Sequence, residues 1–220
     1  MVEIIPAIIA KDLEELKQKI KQVEPYVDWA QLDVMDNQFV DNITWNNPEE
    51  LMNFKTSINL EAHLMIKNSE NHLDNWIKSS VKRIIFHYES TDKHQEIIKN
   101  IQNAGLEVGL AINPETEINV VDEFIDKLDV VLIMTVHPGY GGQEFLEGSL
   151  NRIKSLREKY SNVKIEVDGG INLETASEVI RAGANILVSG SGIFKGDNVK
   201  DTINKLKIIS RDVVPAKAGI

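Results

Sequence analysis

The sequence predicts a single-domain α/β fold, a (β/α)8 barrel of the TIM type, and three observations predict it. Apolar runs of strand length recur eight times, amphipathic helical stretches separate them, and no linker, repeat or low-complexity tract interrupts the alternation over 220 residues. Runs that are apolar throughout belong to parallel strands buried on both faces. The length is compact beside the roughly 250 residues usual for this architecture. A doubly wound open sheet is the alternative, disfavoured because no dinucleotide-type glycine fingerprint follows the first run.

The first strand is read at residues 4–9. Asp12 caps a helix over Leu13–Val23, with Leu13, Leu16, Ile20 and Val23 on one face. Trp29–Met35 is the second strand, followed by a polar loop and a short helix near 48–54. The third strand is 59–66 with a helix near 69–78, and the fourth is 84–87 with a helix over 92–103 that stops at Ala104-Gly105. The fifth is 106–112, with 116–125 helical; the sixth is 130–136, with a helix over 145–160. The seventh strand, 163–167, ends in Asp168-Gly169-Gly170, and Leu173, Ala176, Val179 and Ile180 give the following helix its apolar face. The eighth, Ile186–Ser189, ends in the glycine turn Gly190-Ser191-Gly192, and a last helix covers 199–209. The domain is 1–220, with a loose tail from about 211.

Composition narrows the function. With 42% hydrophobic and 26% charged residues the chain can bury a full core. A net charge of −10 argues against nonspecific binding to nucleic acid or an anionic membrane. It leaves room for a phosphorylated metabolite held by backbone dipoles. The absence of cysteine excludes disulfides, thiolate nucleophiles and cysteine metal sites. No apolar run approaches the ~20 residues of a membrane span, and the opening residues lack the features of a signal peptide, so the cytoplasm is the expected compartment.

Barrel enzymes carry their chemistry at the C-terminal ends of the strands, with phosphate commonly bound after strands seven and eight. The two tandem glycine turns stand at those places, and bare N–H groups at such turns approach an anion closely. A third glycine-rich stretch, HPGYGGQEF at 137–145, reads as a loop or mobile lid after strand six, with Gln143 or Phe145 opening the next helix. The other strand ends carry Gln31, Asp33, Asp36, His63, His87, His137 and Asp168. Alternation points Gln31 and Asp33 the same way. Each residue alone has an ordinary structural reading. Together with His63 and Asp168 they indicate a divalent-metal or acid–base site, because unpaired buried carboxylates are costly. His72 and His94 read as solvated helix residues. Met35, Met65 and Met134 read as core or as the wall of an apolar pocket.

The segments DVMDNQFVDNIT (33–44), HLM (63–65), FHYES (86–90), VGLAINPET (108–116), MTVHPGYGGQEF (134–145), IEVDGG (165–170) and VSGSGIF (188–194) carry a resemblance. In that order and spacing the chain resembles ribulose-phosphate 3-epimerase over nearly its whole length. The resemblance implies an isomerase of pentose phosphate metabolism that interconverts D-ribulose 5-phosphate and D-xylulose 5-phosphate. Two aspartates on opposite faces of the substrate exchange the C3 proton, and a divalent metal (Zn, Fe, Mn or Mg) steadies the enediolate between them. It assigns Asp33 and Asp168 as acid–base pair and metal ligands and His63 as a ligand that also meets substrate. Gly139, Tyr140, Gly141, Gly142, Gly169, Gly170, Gly190 and Ser191 are implied to hold the substrate, mainly its phosphate. Oligomers are common among such enzymes.

The departures are specific. Gln31 stands where the resembled family has its other histidine ligand. The family's P-S-I-L-S becomes Pro6-Ala7-Ile8-Ile9-Ala10, so Ala7 keeps the substrate-contact position without its hydroxyl. Asn37 and Gln38 replace the usual glycine and histidine, and His137 replaces an asparagine-like residue. Three outcomes follow for the metal: Gln31 ligates directly, His137 swings in as a substitute, or the metal is lost. The alternatives to the epimerase are a non-catalytic sugar-phosphate-binding barrel and an epimerase for another ketose phosphate.

Overall fold

The computed structural model describes residues 2–196 and 198–213. Eight parallel strands close into a barrel in sequence order, with β8 hydrogen-bonded back to β1. They are β1 (Glu3–Ile8), β2 (Trp29–Met35), β3 (Asn59–Met65), β4 (Arg83–His87), β5 (Glu107–Ile112), β6 (Val130–Met134), β7 (Lys164–Asp168) and β8 (Ile186–Ser189). The helices are α1 (Leu13–Val23), α2 (Leu73–Lys78), α3 (His94–Asn103), α4 (Gly148–Lys159), α5 (Ala176–Ala182), α6 (Ser191–Phe194) and α7 (Val199–Asp212).

Alternation divides the strands into two faces. Ile4, Ile8, Leu32, Val34, Leu64 and Phe86 join the helices in one continuous outer core, which buries the helices' apolar stripes. Asp12 caps α1 as its sequence position requires, accepting a hydrogen bond from the Glu15 N–H at 2.9 Å. The other face points into the barrel, where Ile5, Ala7, Val130, Ile186 and Val188 pack as a separate cluster.

The inner face is polar at two levels. Near the N-terminal ends of the strands, Arg83 donates to Glu61 at 2.5 Å and to Glu107 at 2.7 Å, and lies 3.5 Å from Glu166. Arg83 also stacks over the Trp29 ring, 4.2 Å from its centre. Glu61 and Glu166 are fully buried. Burial pushes Glu61 up to about 7 against the pull of Arg83, and burial with the charge of Glu61 holds Glu166 well above the ordinary carboxylate range. The second polar level, toward the C-terminal ends, holds the candidate site.

Several sequence expectations need correction. Residues 116–125 form no α-helix, only single 3-10 turns at Ile118–Val121 and Ile125–Lys127. Ile118, Val120 and Val121 are β-branched, and Arg152 takes the carbonyls of Asn113 and Thr116, both at 2.8 Å. The short helix after β2 is likewise a 3-10 turn, Pro48–Leu51. Helix α4 starts at Gly148 rather than 145, because the Leu146 N–H is held by the Thr135 carbonyl at 2.9 Å. The expected turn at 190–192 is mostly the one-turn helix α6. Helix α7 ends at Asp212, and the tail expected from about 211 falls almost wholly at 214–220, outside the described residues. His94 is half-buried, stacked on Tyr88 at 4.5 Å, and not simply solvated. Among the described residues no helix is long and apolar enough to cross a membrane.

Candidate active site

Strand β2 sends Gln31, Asp33 and Met35 to one face, and β3 sets His63 beside Asp33 in the register. Asp168 ends β7, which lies three strands from β2 across β8 and β1. The barrel thus brings together residues far apart in sequence. The Gln31 amide nitrogen donates to Asp33 Oδ1 and to Asp168 Oδ2, each at 2.8 Å. His63 Nδ1 stands 3.1 Å from Asp33 Oδ1 and 3.5 Å from Asp168 Oδ2. One ligating atom from each of Asp33, His63 and Asp168 lies within 4.8 Å of the others.

Burial gives this group its electrostatics. Removal from water raises the Asp33 carboxyl above its ordinary value despite its hydrogen bond from His63. Burial also pulls His63 down, but hydrogen bonds to Asp168 and Asp33 and their charges outweigh it and push the imidazole up to about 10. His63 is the cation of the group, held between two acids.

The donors fit a divalent ion. Two carboxylates and an imidazole are already convergent, and Gln31 Oε1 is buried with no hydrogen-bond partner among the described residues. A half-turn of the amide would exchange that orphaned oxygen for the nitrogen now between the carboxylates, adding a fourth, neutral donor. His137 does not reach the group. It is 63% exposed and its Nδ1 pairs with Glu115 at 3.0 Å, so the idea that it substitutes for the missing histidine is not supported.

Above the carboxylates lies a cavity open to solvent. Ala7, Asp33, Asp168, Gly139, Tyr140, Gly141, Gly142, Gly169, Gly170, Gly190 and Ser191 line it, together with Met65 and Met134. Met35 does not reach the wall and packs beneath it against Met65 and Val40. His63 is fully buried behind the carboxylates and does not line the cavity. The requirement for glycine at 169 is steric: its φ is +118°, and a Cβ would stand 2.4 Å from Val136 Cγ2 and 2.8 Å from the Val136 nitrogen.

The 137–145 loop is fastened over this cavity. Its Gly139 carbonyl accepts from the Asn42 amide at 2.7 Å, and the Tyr140 hydroxyl donates to the Asp41 carbonyl. Asn37 adopts a left-handed φ of 56°, which asparagine tolerates and the glycine of the resembled family would adopt freely. Asp36 is not part of the site. Its two oxygens accept the backbone N–H groups of Gln38, Phe39 and Lys67, each at 2.9 Å, fixing the loop.

Two residues near the site went unassigned from sequence. The Lys195 ammonium comes within 3.0 Å of where a Cβ on Gly142 would stand, at the edge of the glycine loops. His87 Nε2 lies 2.9 Å from His63 Nε2, directly behind the candidate ligand. The sequence marks His87 as the polar end of the fourth strand, but its position alone gives it no role.

Two carboxylates facing one small space at the C-terminal mouth of a parallel barrel, beside three glycine-rich loops, mark the place where barrel enzymes carry their active sites. Comparison with known proteins narrows the class. Residues 3–194 match the model of the ribulose-phosphate 3 epimerase family. The chain is 37% identical over 210 residues to the ribulose-phosphate 3-epimerase of Schizosaccharomyces pombe, covering 93% of this chain and 92% of that one. It is 36% identical over 214 residues to the Bacillus subtilis enzyme of the same name, covering 94% and 99%. Among solved structures, KGPDC from Streptococcus mutans superposes with a TM-score of 0.75 at 13% identity, over 97% of this chain and 99% of that chain, a likeness of fold. The chain belongs to the ribulose-phosphate 3-epimerase family and is an isomerase.

Proposed function

We propose that the protein inverts C3 of a ketopentose 5-phosphate, interconverting D-ribulose 5-phosphate and D-xylulose 5-phosphate, with Asp33 and Asp168 as the two proton carriers. The observation that carries this reading is that one Gln31 amide group joins both carboxylates at 2.8 Å. Two acids held that close, on strands from different sides of the cavity, can address the two faces of one carbon. One carboxylate takes the proton beside the C2 carbonyl, and the other, protonated, returns one from the opposite face. The raised Asp33 carboxyl suits a group that must hold a proton during part of the cycle. Asp33 is only 7% exposed, and the fastened 137–145 loop restricts water, which strengthens each charge interaction in the site.

Asp33, His63 and Asp168, with Gln31 Oε1 after its half-turn, would hold a divalent ion, which when bound supplies positive charge to steady the enediolate. Three oxygen donors to one imidazole favour manganese or magnesium over zinc. The glycine loops at 139–142, 169–170 and 190–191 hold the phosphate through backbone N–H groups, with Met65 and Met134 walling the sugar. The cytoplasm is the compartment we assign.

A second reading concerns the substrate alone. Ala7 lines the cavity where the resembled family carries a hydroxyl, which favours a ketose phosphate with a different polar pattern. NMR of product formation over a panel of pentulose and hexulose phosphates decides between them. Turnover fastest with ribulose 5-phosphate supports the first reading, and turnover only with a hexulose phosphate would replace it. Elemental analysis of protein purified without chelator tests the ion: a stoichiometric divalent metal is expected, and loss of it in His63→Ala.

A further inference from the structure

The side of His63 that faces away from the carboxylates is also organised. Its Nε2 lies 2.9 Å from His87 Nε2, and both rings are fully buried. The rings are nearly coplanar in orientation, 18° apart, with Phe39 against His87 at 4.8 Å. His87 Nδ1 in turn faces Glu89 Oε2 at 3.4 Å. That contact is longer than a good hydrogen bond, and His87 Nδ1 and the neighbouring Asn113 Oδ1 are both buried without a partner among the described residues. The Glu89 carboxylate is anchored by the Asn113 N–H at 2.8 Å and by the Thr116 hydroxyl.

An imidazole that gives its Nδ1 lone pair to a cation must carry its proton on Nε2. For His63 that proton has one neighbour, the His87 Nε2, which must then be the acceptor. His87 consequently keeps its own proton on Nδ1, where Glu89 Oε2 stands and the orphaned Asn113 Oδ1 is its neighbour. The tautomers of both rings are set by one requirement at one atom. We propose that His87, backed by Glu89, is a positioning residue for His63: it accepts the Nε2 proton and so keeps the Nδ1 lone pair directed at the divalent ion. This rests on the metal reading of Asp33, His63 and Asp168 given above. Partners of this kind fix ring orientation and raise ligand basicity, and their loss typically weakens metal binding by about 10–100-fold.

The test is calorimetric titration of the metal-stripped full chain with Mn²⁺, comparing wild type with His87→Leu, His87→Gln and Glu89→Gln. His87→Leu removes the acceptor and should weaken Mn²⁺ binding by about 10–100-fold, with kcat lowered and KM for the ketose phosphate little changed. His87→Gln restores an acceptor oxygen and should recover most of the loss. Glu89→Gln should fall between. Long-range ¹H–¹⁵N spectra of the Mg²⁺-loaded wild type should place the His63 proton on Nε2, a readout independent of whether any variant folds. Equal Mn²⁺ affinity in wild type and His87→Leu, or a His63 proton on Nδ1 in the loaded protein, overturns the proposal. If the wild type itself binds no Mn²⁺, the metal reading falls first and this inference with it, an outcome visible before any variant is made.

Discussion

His63 links metal binding to pH in a way that can be measured without substrate. In the metal-free protein the two carboxylates push its imidazole up to about 10, so at neutral pH it holds a proton on the atom an ion would need. Each ion must displace that proton, and the apparent affinity should rise about tenfold per pH unit below 10. Between pH 6 and pH 8 the gain is therefore about 100-fold. The same shift affects stability. A group whose folded pKa lies above its unfolded value near 6.5 stabilises the fold fully below 6.5 and loses that contribution as pH climbs toward 10. The metal-free protein should thus become less heat-stable from pH 6.5 to 10, while the loaded protein should not follow that trend. Titration calorimetry with Mn²⁺ in two buffers of different ionisation enthalpy counts the protons directly, with about one released per ion expected near neutrality. An affinity flat across pH 6–8, with no dependence on buffer, would refute the assignment of His63 as a protonated ligand.

Three substitutions probe other parts of the account. Gln31→His replaces a neutral amide with a second imidazole, so metal retained after dialysis should increase and shift toward zinc; unchanged retention would mean that position 31 is not a ligand seat. Gly170→Ala places a Cβ 2.7 Å from the Phe145 backbone nitrogen at a φ of +67°, which should cost about 1–3 kcal/mol and raise KM for the phosphorylated substrate by displacing the 137–145 loop. Thermal unfolding and steady-state kinetics check the two parts separately. Arg83→Met leaves Glu61 and Glu166 buried without their guanidinium and should cost about 3–5 kcal/mol, a fall of roughly 2–4 °C in Tm per kcal/mol. That loss should shrink at pH 5, where Glu61, which titrates near 7, has become neutral.

The barrel was legible because its strands are buried on both faces, so each shows as an uninterrupted apolar run bounded by turn residues. The helices that failed were those whose backbone is claimed by tertiary partners, as Arg152 claims the start of 116–125. Residue identities at the site were readable, and alternation along β2 correctly paired Gln31 with Asp33. What spacing cannot encode is contact between neighbouring strands. The His63–His87 pair depends on the offset between β3 and β4, and the turn of the Gln31 amide depends on Asp168, 137 residues away. Arg83 was missed because a charged residue at the start of an apolar run reads as loop. In the barrel it faces inward and gathers three glutamates.

If Asp33 and Asp168 pass a proton through C3, hydrogen at that carbon must exchange with solvent. D-Ribulose 5-phosphate incubated with the enzyme in heavy water should gain deuterium at C3 as xylulose 5-phosphate appears. Asp33→Asn and Asp168→Asn should each abolish epimerisation while still binding the sugar phosphate. Epimerisation that proceeds without solvent deuterium entering C3, or that survives in both variants, would contradict the account.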